Sequence, residues 1–286
     1  MRHGFLLINK PEGPTSHDIV YDVRRVLGEK SIGHLGTLDP AASGLLVLSV
    51  GKKALKVVEL FKDLPKAYIA DVQFGAVSST YDREGVIEEV PLKPGWEVPE
   101  EAILRRTIAD YFVGKISQVP PAHSAIKIGG ERAYKKARAG VDVEMPARAV
   151  EIMACDVLSY TFPTCSLNVA CGSGTYIRSL AHDLGKKLGC AGYLAALRRT
   201  KVGDWHVDQA KLPADAVWAD VMPLKEVLVS FPRIDLSAEE YQAAQHGKAL
   251  SHAITQLTIG WFEDLPVAIL EPSEKEDRKA HARKVL

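Results

Sequence analysis

The stretch GHLGTLDPAASGLLVLSVG, Gly33 to Gly51, divides into two halves of opposite character. Its second half, Leu45 to Val50, is an almost unbroken apolar run bounded by Gly44 and Gly51, the pattern of a strand buried in a core. Its first half is built from glycine, small residues and one proline, and holds a single carboxylate, Asp39. Asp39 is therefore expected in a loop that enters a core strand, where a rigid scaffold can fix a functional group. The plain alternative is a turn, since Asp before Pro is an ordinary turn opening.

Outward from this stretch, strands and helices alternate irregularly. FLLIN (Phe5 to Asn9) predicts a short strand and KPEGPTS the turn after it. Thr15 or Ser16 is placed to cap a helix through HDIVYDVRRVLG, with Ile19, Val23 and Val26 on one face and Gly28 at its end. KKALKVVELFKDL has a helical rhythm at Leu55, Val58, Leu60 and Phe61, and KAYIADVQFG alternates as a strand at Tyr68, Ala70, Val72 and Phe74. STYDREG reads as a turn. After the proline pair of ISQVPPAHSAIKIGGERAYKKARAG, a short helix is expected over Glu131 to Ala139. SLNVACGSGTYIRSLAHDLGKKLG reads as strand, glycine turn and helix, with Ile177, Leu180, Ala181 and Leu184 on the apolar face. Beyond residue 229 a tail section carries a polar helix and the strand-like TQLTIGWF and PVAIL.

The chain has 286 residues, 47% of them hydrophobic, which predicts one large domain and a smaller one. No apolar run is long enough to span a bilayer and the start has no secretion pattern, so a soluble, cytoplasmic protein is expected. Cys155, Cys165, Cys171 and Cys190 lack metal-ligand spacing and read as buried thiols. Thirty-six basic residues balance thirty-six acidic ones, but unevenly along the chain. Ala122 to Gly140 holds five Lys or Arg against one acid, and Tyr176 to Val202 holds six against one. Asp82 to Glu101 holds seven acids. A neutral chain so arranged can keep a positive face for a phosphate backbone.

GSGT (Gly172 to Thr175) lacks the lysine of a phosphate-binding loop, and no histidine has a nucleophile beside it to form a triad. His34, flanked by glycines, is expected to be exposed, either touching a phosphate or capping a turn. Arg178, at a predicted helix start, sits at the positive end of the helix dipole and needs a carboxylate to balance it. A carboxylate used for chemistry equally needs a cation beside it, because burial alone favours the neutral acid.

Taken in order, GHLGTLDPAASGLLVLSVG, KAY (66 to 68), STYDREG, QVPPAHSAIKIGGERAYKKARAG and GSGTYIRSLAHDLG resemble the bacterial tRNA pseudouridine-55 synthases. The similarity runs from NKPEGPTS to LRRTKVG and continues more faintly through LSAEEYQAAQHG. PAASG stands where the family more usually reads PLATG, which removes no catalytic group. The resemblance implies an α+β fold, with a central mixed, mostly antiparallel sheet flanked by helices and a small β-rich C-terminal domain like a reduced PUA domain. It implies a catalytic domain over 1–228, with a basic RNA-contacting insertion near 119–142, and a small domain over 229–286. It implies that the chain isomerises one uridine in the T loop of tRNA, with no cofactor or metal.

In that reading Asp39 is the essential aspartate, Arg178 pairs with it, and Tyr68 stacks on the uracil and shares in removing the C5 proton. His34 and Leu197 touch bases, and Lys10, in the KP element, supports the cleft as part of the substrate site. Lys127, Arg132, Lys135, Lys136 and Arg138 contact RNA, as does the 176–202 patch through backbone phosphates. The expected partner is the T stem-loop of tRNA, bound by a monomer with no obligate protein partner and no membrane. A non-catalytic RNA-folding protein would use the same basic surfaces without Asp39, Tyr68 and Arg178 together. A glycoside hydrolase would need a second carboxylate, for which Asp82 or Asp183 are the available mates.

Overall fold

The computed structural model describes residues 3–124, 126–128, 130–133, 136, 144–273 and 279–286. The first elements are β1 (Gly4–Lys10), α1 (Ser16–Leu27), β2 (Ile32–His34), β3 (Ala42–Val50), α2 (Lys52–Val57) and β4 (Lys66–Phe74). A hairpin of β5 (Ala76–Ser78) and β6 (Ile87–Glu89) follows, then α3 (Glu101–Phe112) and β7 (Gly114–Gln118). The pair β8 (Lys127–Ile128) and β9 (Glu131–Arg132) precedes β10 (Arg148–Thr161), β11 (Thr164–Cys171), α4 (Ile177–Leu188) and β12 (Gly192–Val202). Short β13 (Trp205–His206), β14 (Met222–Pro223) and α5 (Leu224–Val227) lead to β15 (Arg233–Asp235), α6 (Ala238–Gln245), β16 (Thr258–Phe262), β17 (Leu265–Pro272) and β18 (Ala280–Val285).

Ten strands form one sheet in the order β14-β1-β3-β12-β4-β11-β10-β7, with β2 on β3 and β13 on β12. Among the described residues of this sheet, only the β3–β12 strand pairing is parallel. The sheet is thus mixed and mostly antiparallel, flanked by helices, and a second sheet runs β15-β16-β17-β18.

The apolar runs in β1 and β3 have a physical cause. Side chains of a strand alternate between faces. Leu6 and Ile8 with Leu46 and Leu48 pack under α1 and α4, whereas Phe5, Leu7, Leu45 and Val47 face Ile259, Trp261 and Ile269 of the second sheet. Covered on both sides, these strands are apolar without a break over Phe5–Ile8 and Leu45–Leu48. In β4 only one face is buried, so Tyr68, Ala70, Val72 and Phe74 alternate with the exposed Asp71.

One local expectation holds, the capping of α1, and several others need correction. Thr15 caps α1, accepting from the Asp18 amide while the Asp18 carboxylate accepts from the Thr15 amide. The buried face of α1 is Ser16, Ile19, Val20, Val23 and Leu27, and Val26 is exposed. The helix sets its inner face by the i, i+4 row 19-23-27, which the 19-23-26 choice missed. Leu55 is likewise exposed, and Ala54, Val57 and Phe61 point inward. Glu131 and Arg132, read as helix, are strand residues paired with Ile128 and Lys127. Most of the remainder of that expected helix lies outside the described residues. The first and last strands of the second sheet, β15 and β18, were not foreseen.

Candidate active site

Asp39 lies between β2 and β3, in a loop bound from several directions. Ser16 Oγ donates to the Leu38 carbonyl (2.9 Å) and accepts from the Leu38 amide (2.8 Å). The Gly13 amide donates to the Pro40 carbonyl (2.9 Å), and the Ala42 amide closes the turn on the Asp39 carbonyl (3.1 Å). Lys10, 0% exposed, spends its ammonium on the carbonyls of Pro11 (2.9 Å), Pro14 (2.8 Å) and Pro40 (3.3 Å). Burial lowers its pKa and the nearby Asp39 raises it in part. Lys10 thus holds the turn beneath the cleft, with its ammonium on three backbone carbonyls.

From the other side, Arg199 of β12 donates from Nε to Leu45 (2.7 Å), from Nη2 to Gly36 (3.0 Å) and from Nη1 to Thr37 (3.4 Å). Its backbone passes so close to Gly44 (φ +103°) that a Cβ there would lie 2.2 Å from the Arg199 carbonyl oxygen. A side chain at position 44 would push β3 away from β12.

Arg178, the second residue of α4, reaches Asp39: its Nε is 3.1 Å from Asp39 Oδ2, the carboxylate that its place at a positive helix end required. Its Nη1 lies 3.5 Å from Asp82 Oδ2 and 3.2 Å from the Thr80 carbonyl, and Nη2 donates to the His123 carbonyl (3.0 Å). The Arg178 side chain is 7% exposed and that of Asp39 41%, so the cation is locked inside while the carboxylate can be reached. Gln118 holds the start of α4 by exchanging both its amide atoms with the Tyr176 backbone, and Ser179 Oγ donates to Val119 (2.7 Å).

Asp82 is buried, its carboxylate accepting from Thr80 Oγ1 and the Glu84 amide (3.0 Å). Its loop is strapped down by Ser78 Oγ on the Asp82 carbonyl and by Tyr81, which has φ +64° and stacks on the His182 ring at 4.0 Å. Asp39, Asp82, Arg83, Arg178, Ala42 and Leu197 all line one narrow cleft.

Tyr68 stands on β4 opposite Arg199 of β12, and Leu197 is paired with Ala42 and Ala70. Burial pushes the Tyr68 phenol up, against the pull of Arg199, so it is un-ionised at neutral pH. His34 is half-buried, not exposed: β2 carries it against β3, edge-on to His17 at 5.5 Å. Burial first, then His17 and Arg199, lower its pKa, which leaves a neutral imidazole. Of the basic residues expected on RNA, Lys127 and Arg132 lie on β8 and β9, Lys136 is partly exposed, and Lys135 and Arg138 fall outside the described residues. In the 176–202 patch Arg178 and Arg199 are buried and committed to the protein, and Lys186, Lys187 and Arg198 are the exposed cations.

Sequence reasoning names Asp82 only within a turn and as a possible second carboxylate of a hydrolase, and counts Arg199 as surface charge; neither is expected as a partner in the isomerase site. Strand alternation places Arg199 on the same side as Leu197, which was the available signal for it. Nothing local marks Asp82.

The description "TruB family pseudouridylate synthase (N terminal domain)" matches residues 24–177, and "tRNA pseudouridylate synthase B C-terminal domain" matches 178–226. The chain is 42% identical over 259 residues to tRNA pseudouridine synthase B of Mycobacterium sp. (strain KMS), covering 87% of this chain and 85% of that protein. It is 42% identical over 272 residues to that of Thermobifida fusca (strain YX), covering 92% and 91%. Among solved structures, a Cbf5-Nop10-Gar1 complex holds a chain of the same fold (TM-score 0.71, 24% identity, 99% of this chain and 84% of that one). The Asp39 loop and the Arg178 helix start both fall within the matched residues, and this chain belongs to the TruB family of pseudouridylate synthases, isomerases that act on tRNA.

Proposed function

We propose that the chain converts the uridine at position 55 in the T loop of tRNA to pseudouridine, with Asp39 acting on the ribose, Arg178 holding that carboxylate and Tyr68 stacked on the base. The observation that carries this reading is the asymmetry of the Asp39–Arg178 ion pair, a buried cation against a reachable carboxylate. The isomerisation breaks N1–C1′, joins C1′ to C5, releases the C5 proton and protonates N1. A single carboxylate serves it, as nucleophile at C1′ or as base at C2′, with no change of oxidation state. Taking a uridine out of its stack costs a few kcal/mol, and an aromatic face returns about 1–3 kcal/mol. Tyr68, anchored on β4, is the ring assigned to that task.

Lys127, Arg132, Lys135, Lys136 and Arg138 supply the closing RNA contacts in this reading, and Leu197 and His34 meet the bases. The catalytic unit is taken as 1–228 and the small domain as 229–286. Two-carboxylate sugar hydrolysis is disfavoured, because Asp82 is buried and already engaged by Thr80, Glu84 and Arg178. Tritium release from an unmodified transcript labelled at C5 of uridine tests the proposal. Release is expected from the wild type, lost in Asp39→Asn and lost when the T-loop uridine is absent. Binding without release by the wild type would favour an RNA-folding role.

A further inference from the structure

The mouth of the cleft carries an ion pair that the chemistry at Asp39 does not use. Glu12 lies in the turn after β1 and Arg83 in the loop between β5 and β6, far apart in sequence. They meet with Arg83 Nη2 2.6 Å from Glu12 Oε2, their side chains 41% and 45% exposed respectively. The same nitrogen is 3.4 Å from the carbonyl of Ala41, two residues beyond Asp39. The pair therefore joins the wall that carries Asp82 to the wall that carries Asp39.

Among the described residues, two arginines line this cleft, Arg83 and Arg178. Arg178 is buried and spent on two carboxylates and two carbonyls, which leaves Arg83 as the lining cation that a solute can reach. Its surroundings are acidic, with Glu12, Glu84 and Asp82 all acting on it. A polyanion entering toward Asp39 meets these carboxylates, and among the described lining residues Arg83 is the exposed cation able to answer a phosphate. A nucleotide with its C1′ at Asp39 carries its own flanking phosphates only a few bonds from that carbon. An exposed ion pair is weak in water, whereas a guanidinium binds phosphate through a two-pronged, charge-assisted contact.

We infer that Arg83 is a phosphate-contacting residue for the substrate RNA at the cleft mouth, and that Glu12 is its resting partner, given up when the RNA enters. The inference rests on the reading of Asp39 as the group that acts on the ribose. Glu12 then restrains binding in the free protein, keeping Arg83 oriented across the opening until a stronger anion replaces it.

The test is a double-mutant cycle in the full chain, with Kd for an unmodified tRNA transcript measured between about 50 and 200 mM salt. Arg83→Gln is expected to weaken binding about five- to ten-fold and to reduce the slope of log affinity against log salt by about one, while Arg83→Lys keeps the slope. Glu12→Gln is expected to tighten binding about two- to five-fold, and to lose that effect when combined with Arg83→Gln. In the wild-type chain the transcript should shield Arg83 from phenylglyoxal, read by mass spectrometry, which needs no variant to fold. An equal gain from Glu12→Gln with or without Arg83 would reduce Glu12 to a general field effect and overturn the inference. So would an unchanged salt slope in Arg83→Gln, or equal modification of Arg83 with and without RNA. Asp39→Asn, assayed in parallel for tritium release, separates the two claims: release by that variant defeats the underlying reading, whereas a silent Asp39→Asn with indifferent Arg83 defeats this inference alone.

Discussion

Arg178 and Arg283 are each an arginine between two acids, and they do opposite things. Arg178 lies between Asp39 and Asp82 with 7% of its side chain exposed, and its remaining donors are taken by backbone carbonyls. Arg283, on β18, lies between Glu59 and Glu271 with 42% exposed, alongside Lys284 on the same Glu59. The first arrangement has one geometry, because any departure leaves a desolvated charge or carbonyl without a partner. The second can exchange its partners for water at little cost. The cleft is positioned by buried charges with no slack, and the second sheet is held to the first by apolar packing around Trp261, with its ion pairs at the rim.

The largest effect that would sharpen this contrast comes from Arg178→Met. It leaves two carboxylates and two carbonyls facing a methyl group, and should cost about 3–5 kcal/mol in urea unfolding. Pseudouridine formation should fall by at least about 100-fold. A variant of near-normal stability would mean that the Asp82 loop relaxes freely, which the contrast denies.

An intermediate effect concerns thiols whose pKa is moved chiefly by burial. Burial pushes the thiols of Cys155 and Cys165 up to about 12 and those of Cys171 and Cys190 up to about 11. A thiol whose pKa is raised by folding gives stability that is complete below its unfolded value near 9, and that stability is lost as the pH climbs toward the folded value. By pH 10 this amounts to about 1 kcal/mol for each of the three fully buried thiols, Cys165, Cys171 and Cys190. At pH 9 the folded chain should alkylate with iodoacetamide at least about 50-fold more slowly than the chain in urea. Equal rates would show that the β10–β11 region opens readily.

The smallest effect belongs to Glu59→Gln, which removes the shared acid of Arg283 and Lys284 yet should cost less than about 1 kcal/mol, with turnover unchanged. A loss approaching that of Arg178→Met would break the comparison, and would make the ionic rim, not the Trp261 packing, the attachment of the second sheet.

Periodicity and punctuation in the chain were enough to locate β1, β3, β4, β11 and the apolar face of α4, because strand and helix patterns are local. They also placed Asp39 in a loop at the mouth of a buried strand, and the order of the short motifs pointed to the family. Finer choices failed where two local patterns fit equally well. Val26 and Leu55 sit at plausible apolar positions, and their exposure depends on which row of the helix the sheet covers.

The sequence by itself determined β1, β3, β4, β11 and the helix after it, the place of Asp39 before a buried strand, and the need of Arg178 for an acid. Tertiary structure alone decided that Asp82 shares that arginine, that Lys10 and Arg199 turn inward to carry backbone carbonyls, and that Glu12 and Arg83 meet across the cleft. The parallel contact of β3 with β12 and the hairpin of β5 and β6 bring these residues together from separations of 30 to more than 150 positions. A charged side chain in a sequence has no fixed partner, and whether it faces water or a carbonyl is set only when the sheet closes around it.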